Sequence, residues 1–244
     1  MSDARIELPA HDLPMRWADL DLLNHVTNVV YVDYAAEGQA LLRCDGHLAD
    51  TGPVRDVEVA YRRPTPLSSR PLLLRASVQG DVLTQEICTT ADAEPVVHAT
   101  VVTTHGDPRP GPIAELDDPP VDARVRMTDL DTSGSVSLAG QFRLAQESRI
   151  VHFARMGRDR LGQFVVGRIA LQPLAPIGWR PEPLQARSWI TRVGRGSFTI
   201  DTMLAGAEGP LFTSQTVLVG FDRDTQRSRP FGDDERAHLE AHRR

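Results

Sequence analysis

Lysine is absent from this sequence: all 27 basic side chains are arginine. No lysine can therefore form a Schiff base or occupy the lysine position of a phosphate-binding P-loop. Cysteine is nearly absent too. Cys44 and Cys88 are too few for a disulfide framework and read as ordinary thiols of a reducing compartment. Aromatics make up 5% of the 244 residues, so the core must rest on Val, Leu, Ala and Ile. No run of about 18 apolar residues occurs, which argues against a membrane-spanning helix. The opening stretch, MSDARIELPAHDLP, carries acidic groups and no long apolar core, so it does not read as a signal peptide. The expected location is the cytoplasm, with no membrane partner. The net charge of −6 argues against a nucleic-acid partner. G-x-S-x-G and H-E-x-x-H are both missing, and His98 and His105 have no partner at ligand spacing. No metal and no cofactor are expected.

What the chain does contain is one internal repeat. MRWADLDLLNHVTN, Met15 to Asn28, matches VRMTDLDTSGSVSL, Val125 to Leu138. Arg16 falls on Arg126, Asp19-Leu20-Asp21 on Asp129-Leu130-Asp131, Val26 on Val136 and Glu37 on Glu147. In a gapless register Pro66 then falls on Pro176 and Arg70-Pro71 on Arg180-Pro181, with a small insertion in the second copy only beyond that point. Between the copies lies DPRPGPIAELDDPPVDAR, whose five prolines block both helix and central strand and read as an interdomain linker. The expected organisation is a first domain over residues 1–107, a linker over 108–120 and a second domain over 121–244 that ends in a charged tail.

Each copy has the same order of elements. A short extended segment ends at the D-L-D turn, and a helix is expected next, from His25 to about Leu42 and from Ser135 to about Met156. Val26, Val30, Tyr34 and Leu41 form an apolar stripe on the first helix; Leu138, Phe142, Ala145 and Phe153 form one on the second. Strands follow, with alternation at Val57, Val59 and Tyr61 and at Phe198, Ile200 and Thr202. VVHATVVTTH and FTSQTVLVGF read as the final strands. A long helix followed by antiparallel strands is an α+β pattern. The last segment, GDDERAHLEAHRR, puts acids first and bases last, which suits either a short helix or a frayed tail. Asp21 precedes the first expected helix, a common place for a purely capping Asp.

The stretch from Arg16 to Tyr31, R-W-A-D-L-D-L-L-N-H-V-T-N-V-V-Y, resembles the signature of hotdog-fold thioesterases of the 4-hydroxybenzoyl-CoA thioesterase type: Arg, an aromatic, then D-x-D-x-x-G-H-V-N-N-x-x-Y. Arg16, Trp17, Asp19, Asp21, His25, Val26, Asn28 and Tyr31 match it. Asn24 stands where the pattern has Gly, and Thr27 where it has Asn. The second copy keeps Arg126, Asp129, Asp131, Gly134 and Val136, and has Ser135, Ser137, Leu138 and Gln141 at the other positions. The resemblance implies two tandem hotdog domains, each a long helix wrapped by an antiparallel sheet, forming a pseudo-dimer. The tandem form also resembles the double-hotdog acyl-carrier-protein thioesterases. It implies hydrolysis of an acyl-CoA or acyl-carrier-protein thioester, and it allows a homo-oligomer of double-hotdog chains.

Thioester hydrolysis needs a group that attacks the carbonyl or activates water, and donors for the oxyanion that develops. By resemblance Asp21 is the catalytic carboxylate and Asp131 its weaker counterpart. Backbone N–H groups around Asn28 and Thr27 are the donors, and His25 has an orienting role. Asp19 and Asp129 read as structural, bonding backbone in the turn. Asn24 reads as a helix cap. Arg62 and Arg63, and Arg70 and Arg180 at matching positions of the two copies, are the candidates for holding the anionic carrier. Two alternatives stay open: a non-catalytic acyl-thioester binding or scaffold protein, and a hotdog enoyl-thioester hydratase.

Overall fold

The computed structural model describes residues 4–21, 23–90, 94–109, 119–157 and 161–244, and the chain divides into two compact units, Met1–Pro108 and Arg109–Arg244. Most of the expected linker, residues 110–118, lies outside the described residues. Its last two prolines are held by the second unit: the Arg155 guanidinium donates to the carbonyls of Pro119 and Pro120 at 2.7 and 3.2 Å.

The first unit contains β1 (Ile6–Leu13), α1 (Val30–Cys44), β2 (Val54–Tyr61), β3 (Leu72–Gln79), β4 (Val82–Thr89) and β5 (Val96–His105). Its strands are antiparallel in the order β1-β3-β4-β5-β2. Alternation drives the pairing: Val57 and Val59 of β2 and Leu72, Leu74 and Ala76 of β3 turn one face inward. Helix α1 lies on that face and buries Tyr31, Tyr34, Ala35, Gly38 and Leu42. This stripe is offset from the expected one, because Val26 lies outside the helix and Val30 and Leu41 are only half-buried. Gly38 permits the close approach, since a Cβ there would run into the Leu74 side chain. Nearby, the buried Gln85 amide of β4 donates to the Ala35 carbonyl of the helix at 2.9 Å.

The second unit contains β6 (Val121–Ala123), α2 (Leu138–Met156), β7 (Phe164–Pro173), β8 (Leu184–Val193), β9 (Ser197–Gly206), β10 (Gly209–Asp222), β11 (Arg227–Ser228) and α3 (Asp233–Ala241). Its main strands run antiparallel in the order β6-β8-β9-β10-β7, the same topology as the first unit, with β11 added beside β10. Both units thus have the hotdog arrangement, and the repeat in sequence is a repeat in strand order.

The structure moves the insertion. Tyr61 ends β2 and Pro173 ends β7, an offset of 112, whereas the D-L-D turns differ by 110. The two extra residues therefore fall between the turn and the first long strand, and the offset of 112 is already reached where the helices end, at Cys44 and Met156. Pro66 corresponds to Gly178, since each bridges the matching loop, and Arg180 corresponds to Ser68 rather than to Arg70. The end of the chain is no frayed tail either. Leu239 of α3 is fully buried against Met156, Ile190, Phe198 and Phe231, and Glu235 pairs with Arg229 at 2.7 Å.

Candidate active-site loop

Each unit builds one loop from its D-L-D segment, with nearly the same hydrogen bonds. The Asp19 carboxylate accepts from Arg16 N–H at 2.7 Å, and Asp129 accepts from Arg126 N–H at 2.8 Å. The Asp19 carbonyl accepts from Thr27 N–H at 2.8 Å; the Asp129 carbonyl accepts from Ser137 N–H at 2.7 Å. Asp21 N–H donates to the His25 carbonyl and Asp131 N–H to the Ser135 carbonyl, both at 2.8 Å. The turn between them needs a left-handed residue. Gly134 supplies it with φ 81°, and Asn24 supplies it with φ 61°. Asn tolerates this region better than most side chains, so the departure from Gly preserves the turn. Asn24 is a turn residue, and the expected capping role does not apply.

The expected helix starts also shift. Residues 24–28 do not coil: His25 bridges Pro66, and Val26 N–H donates to the Thr65 carbonyl at 2.9 Å. Helix α1 starts at Val30 and α2 at Leu138. These cross-chain bonds consume Thr27 N–H and Val26 N–H, so the Thr27 N–H is no free donor. Among the described residues, the N–H groups of Asn28 and Val29 have no partner, as the first turn of a helix leaves them.

Asp21, His25 and Asn28 come together in this loop. Asp21 is exposed. Its Oδ1 accepts from Leu23 N–H at 2.8 Å and His25 N–H at 3.1 Å, while no hydrogen bond to Oδ2 is found among the described residues. One oxygen thus shapes the turn and the other is available. Asp131 is arranged likewise, but its Oδ1 also accepts from the Ser133 hydroxyl at 2.6 Å. The half-buried His25 is held through its backbone; its ring has no hydrogen bond among the described residues. Arg62 and Arg63 follow β2 and border an open cleft of about 510 Å³ with Glu94, Pro95, Val96 and Val97. His98 and His105 are structural: His98 bonds the Pro64 carbonyl and Thr89, and His105 bonds the Gly52 carbonyl and Thr51. No cluster able to hold a metal occurs among the described residues.

Three residues around the loop were not singled out from sequence for their hydroxyls. Tyr34 donates to the Asp19 carboxylate at 2.7 Å, Tyr61 to the Asn28 carbonyl at 2.7 Å, and Tyr31 to the Thr65 hydroxyl at 2.7 Å. The Tyr31 ring meets Tyr34 and Tyr61 edge-on, with centroids 6.4 and 5.5 Å apart. Burial raises the pKa of Tyr31, and the nearby Asp21 charge adds to the rise. Burial also raises that of Tyr34, reinforced by its bond to the Asp19 carboxylate. Both phenols stay protonated and remain donors. The available signal was distribution: all three tyrosines of the chain lie in the first unit.

Comparison with known proteins agrees with this fold. The acyl-ACP thioesterase C-terminal domain family matches residues 4–71, which span the whole loop and its Thr65–Pro66 support. No curated protein matches the chain by sequence. A protein of Lactobacillus plantarum assigned as an oleoyl thioesterase superposes with a TM-score of 0.65 at 11% identity, over 89% of this chain and 95% of that one. The 12:0-ACP thioesterase of Umbellularia californica gives 0.60 at 11% identity, over 93% and 94%. An acyl-ACP thioesterase of Bacteroides thetaiotaomicron VPI-5482 gives 0.52 at 10% identity, over 86% and 97%. At such identities the likeness establishes the tandem hotdog fold. No helix among the described residues is long and apolar enough to cross a membrane.

Proposed function

We propose that this chain hydrolyses acyl thioesters to free acid and thiol, and that the loop of its first unit carries the reaction. The observation that carries this reading is the coincidence of the family match over residues 4–71 with the loop whose Asp21 Oδ2 is unengaged. In the proposed mechanism Asp21 either attacks the thioester carbon or draws a proton from the water that does. The oxygen of the tetrahedral intermediate is stabilised by the N–H groups of Asn28 and Val29 at the start of α1. Where Asp21 is the base, collapse expels the thiolate, which takes up the proton drawn from water. Where Asp21 is the nucleophile, collapse expels the thiolate and leaves an acyl–aspartyl anhydride, which a water molecule then hydrolyses to the free acid and the Asp21 carboxylate, its proton passing to the thiolate. Preorganised donors suit this role because they need no reorientation as charge develops. His25 shapes the loop through its backbone.

The substrate is an acyl group on CoA or on an acyl carrier protein. Both carry a pantetheine arm with phosphate, and Arg62 and Arg63 beside their cleft supply cationic donors for it. Asp131 lies in a matching loop, but the Ser133 hydroxyl on its Oδ1 and the apolar Leu138 at the helix start favour a weaker or silent second site. The test is thiol release from a panel of short, long and aromatic acyl-CoA and acyl-carrier-protein thioesters. Turnover that Asp21→Asn abolishes supports the reading. Binding without any turnover by the wild-type chain would instead support the acyl-binding protein.

A further inference from the structure

The three tyrosines do not serve the loop in the same way, and Tyr61 is the one that touches the start of α1. In a regular α-helix the Asn28 carbonyl would accept from Val32 N–H. Val32 N–H instead donates to the Val29 carbonyl at 2.9 Å, so the Asn28 carbonyl stands outside the helical ladder. The Tyr61 hydroxyl takes its place as donor at 2.7 Å. On the other side of Asn28, the Thr27 carbonyl accepts from Val30 N–H at 3.0 Å. Both peptide units flanking the Asn28 Cα are therefore anchored. Peptides are planar and trans, so anchoring a carbonyl also fixes the opposed N–H of the same unit. Here that N–H belongs to Val29.

The second unit shows the alternative. Helix α2 begins at Leu138, the counterpart of Asn28, and the Ser137 side chain caps it by accepting Gly140 N–H at 3.0 Å. The counterparts of Tyr31, Tyr34 and Tyr61 are Gln141, Leu144 and Pro173, none of which carries a hydroxyl. The regular helix start and the missing phenol occur together.

We infer that Tyr61 is a positioning residue for thioester hydrolysis: its hydroxyl fixes the Asn28–Val29 peptide, and so sets the direction of the two adjacent N–H groups that the helix start leaves free for the oxyanion. The inference rests on the proposed hydrolase reading. Tyr61→Phe tests it, because the ring that packs against Tyr31 remains. With octanoyl- and benzoyl-pantetheine as substrates, kcat should fall about tenfold and KM should stay within about twofold. Tyr34→Phe removes the bond to Asp19 but none to the helix start; it should lower the melting temperature and cost kcat less than Tyr61→Phe does. A second readout is the infrared carbonyl band of a bound ketone analogue of octanoyl-pantetheine, with methylene in place of sulfur. The band should move to higher frequency in Tyr61→Phe, as donors turn away from the carbonyl, and stay put in Tyr34→Phe.

Hydrolysis that Asp21→Asn removes and Tyr61→Phe leaves undiminished overturns the inference alone. Equal kcat losses in Tyr61→Phe and Tyr34→Phe, with the carbonyl band unmoved in both, also overturn it, because Tyr61 would then act only through stability. Wild-type protein inert toward both substrates and the acyl panel sinks the hydrolase reading and this inference with it.

Discussion

The two units share a strand order and differ in where their aromatic residues stand. All three tyrosines belong to the first unit and all seven phenylalanines to the second. The tyrosines gather at the start of α1, where each hydroxyl fixes part of the Asp21 loop. In the second unit Phe153, Phe164, Phe198 and Phe231 gather near the end of α2, with Phe164 and Phe198 5.0 Å apart and nearly perpendicular. A phenol offers packing together with a donor, whereas a phenyl ring offers packing alone. The first unit thus invests its aromatics in holding polar groups in place. The second invests them in a core on which α3 closes through Leu239. One fold carries a positioned loop in one copy and a reinforced scaffold in the other.

The most direct way to break this comparison is to neutralise each loop carboxylate in turn. Asp21→Asn keeps an oxygen able to accept from Leu23 and His25 N–H, so the turn should survive. We expect kcat to fall by about a hundred- to ten-thousand-fold, the usual range for general-base catalysis, with the melting temperature little changed. Asp131→Asn should cost less than about threefold, well below the general-base range. Kinetics and thermal unfolding on the same samples decide it. A greater loss from Asp131→Asn would reverse the assignment of roles to the two units.

A second test sharpens the scaffold half. Burial opposes ionisation of Glu235, but the paired Arg229 and the Gly162 N–H outweigh it, and its pKa lies below the ordinary value. Its stabilising contribution is therefore complete above the unfolded value of 4.5 and is lost as pH falls through the lower folded value. Glu235→Gln leaves Arg229 without its partner and should cost about 2 kcal/mol at neutral pH, below the full cost for a deeply buried pair because this one is partly solvated. It should also flatten the acid limb of stability against pH. Hydrogen exchange at α3 and β8 reads the effect, and the α1 amides of the first unit should be unmoved. An unchanged acid limb would remove Glu235 from the scaffold.

Much of this was legible in the sequence, for a local reason. The D-L-D turn is written in residues that bond their own neighbours: Asp19 to Arg16, and Asp21 to Leu23 and His25. Such contacts repeat wherever the string repeats, so the two hotdog copies and their final strands could be read. The helix starts could not, because Val26 is held by Thr65, far along the chain, and local periodicity carries no trace of that bond. The insertion was misplaced because Pro176 happens to fall opposite Pro66 in a gapless register. Helix α3 could not be told from a frayed tail because its one deep anchor, Leu239, gains meaning only beside the phenylalanine core. The tyrosine hydroxyls were missed for the same reason: their partners lie on other elements.

The smallest expected effect lies at the turn, where the units differ by one residue in a shared conformation. Asn24 pays a steric cost at φ 61° that Gly134 avoids at φ 81°. Asn24→Gly relieves that cost but gives the unfolded chain more freedom. The two oppose each other, and a net gain of about 0.5 kcal/mol is expected, because Asn is among the side chains that suffer least there. Gly134→Ala should destabilise by about 1 kcal/mol. Nothing lies within 4 Å of a Cβ built at Gly134, so the whole cost is backbone strain and none is collision. Denaturant melts of the two variants check the signs. Turnover should be the same within about twofold in Asn24→Gly, since the bonds that Asp21 Oδ1 accepts do not involve the Asn24 side chain. A tenfold rise in kcat would mean that Asn24 holds the loop away from its productive shape, and that the first unit, for all its tyrosines, is the one working under strain.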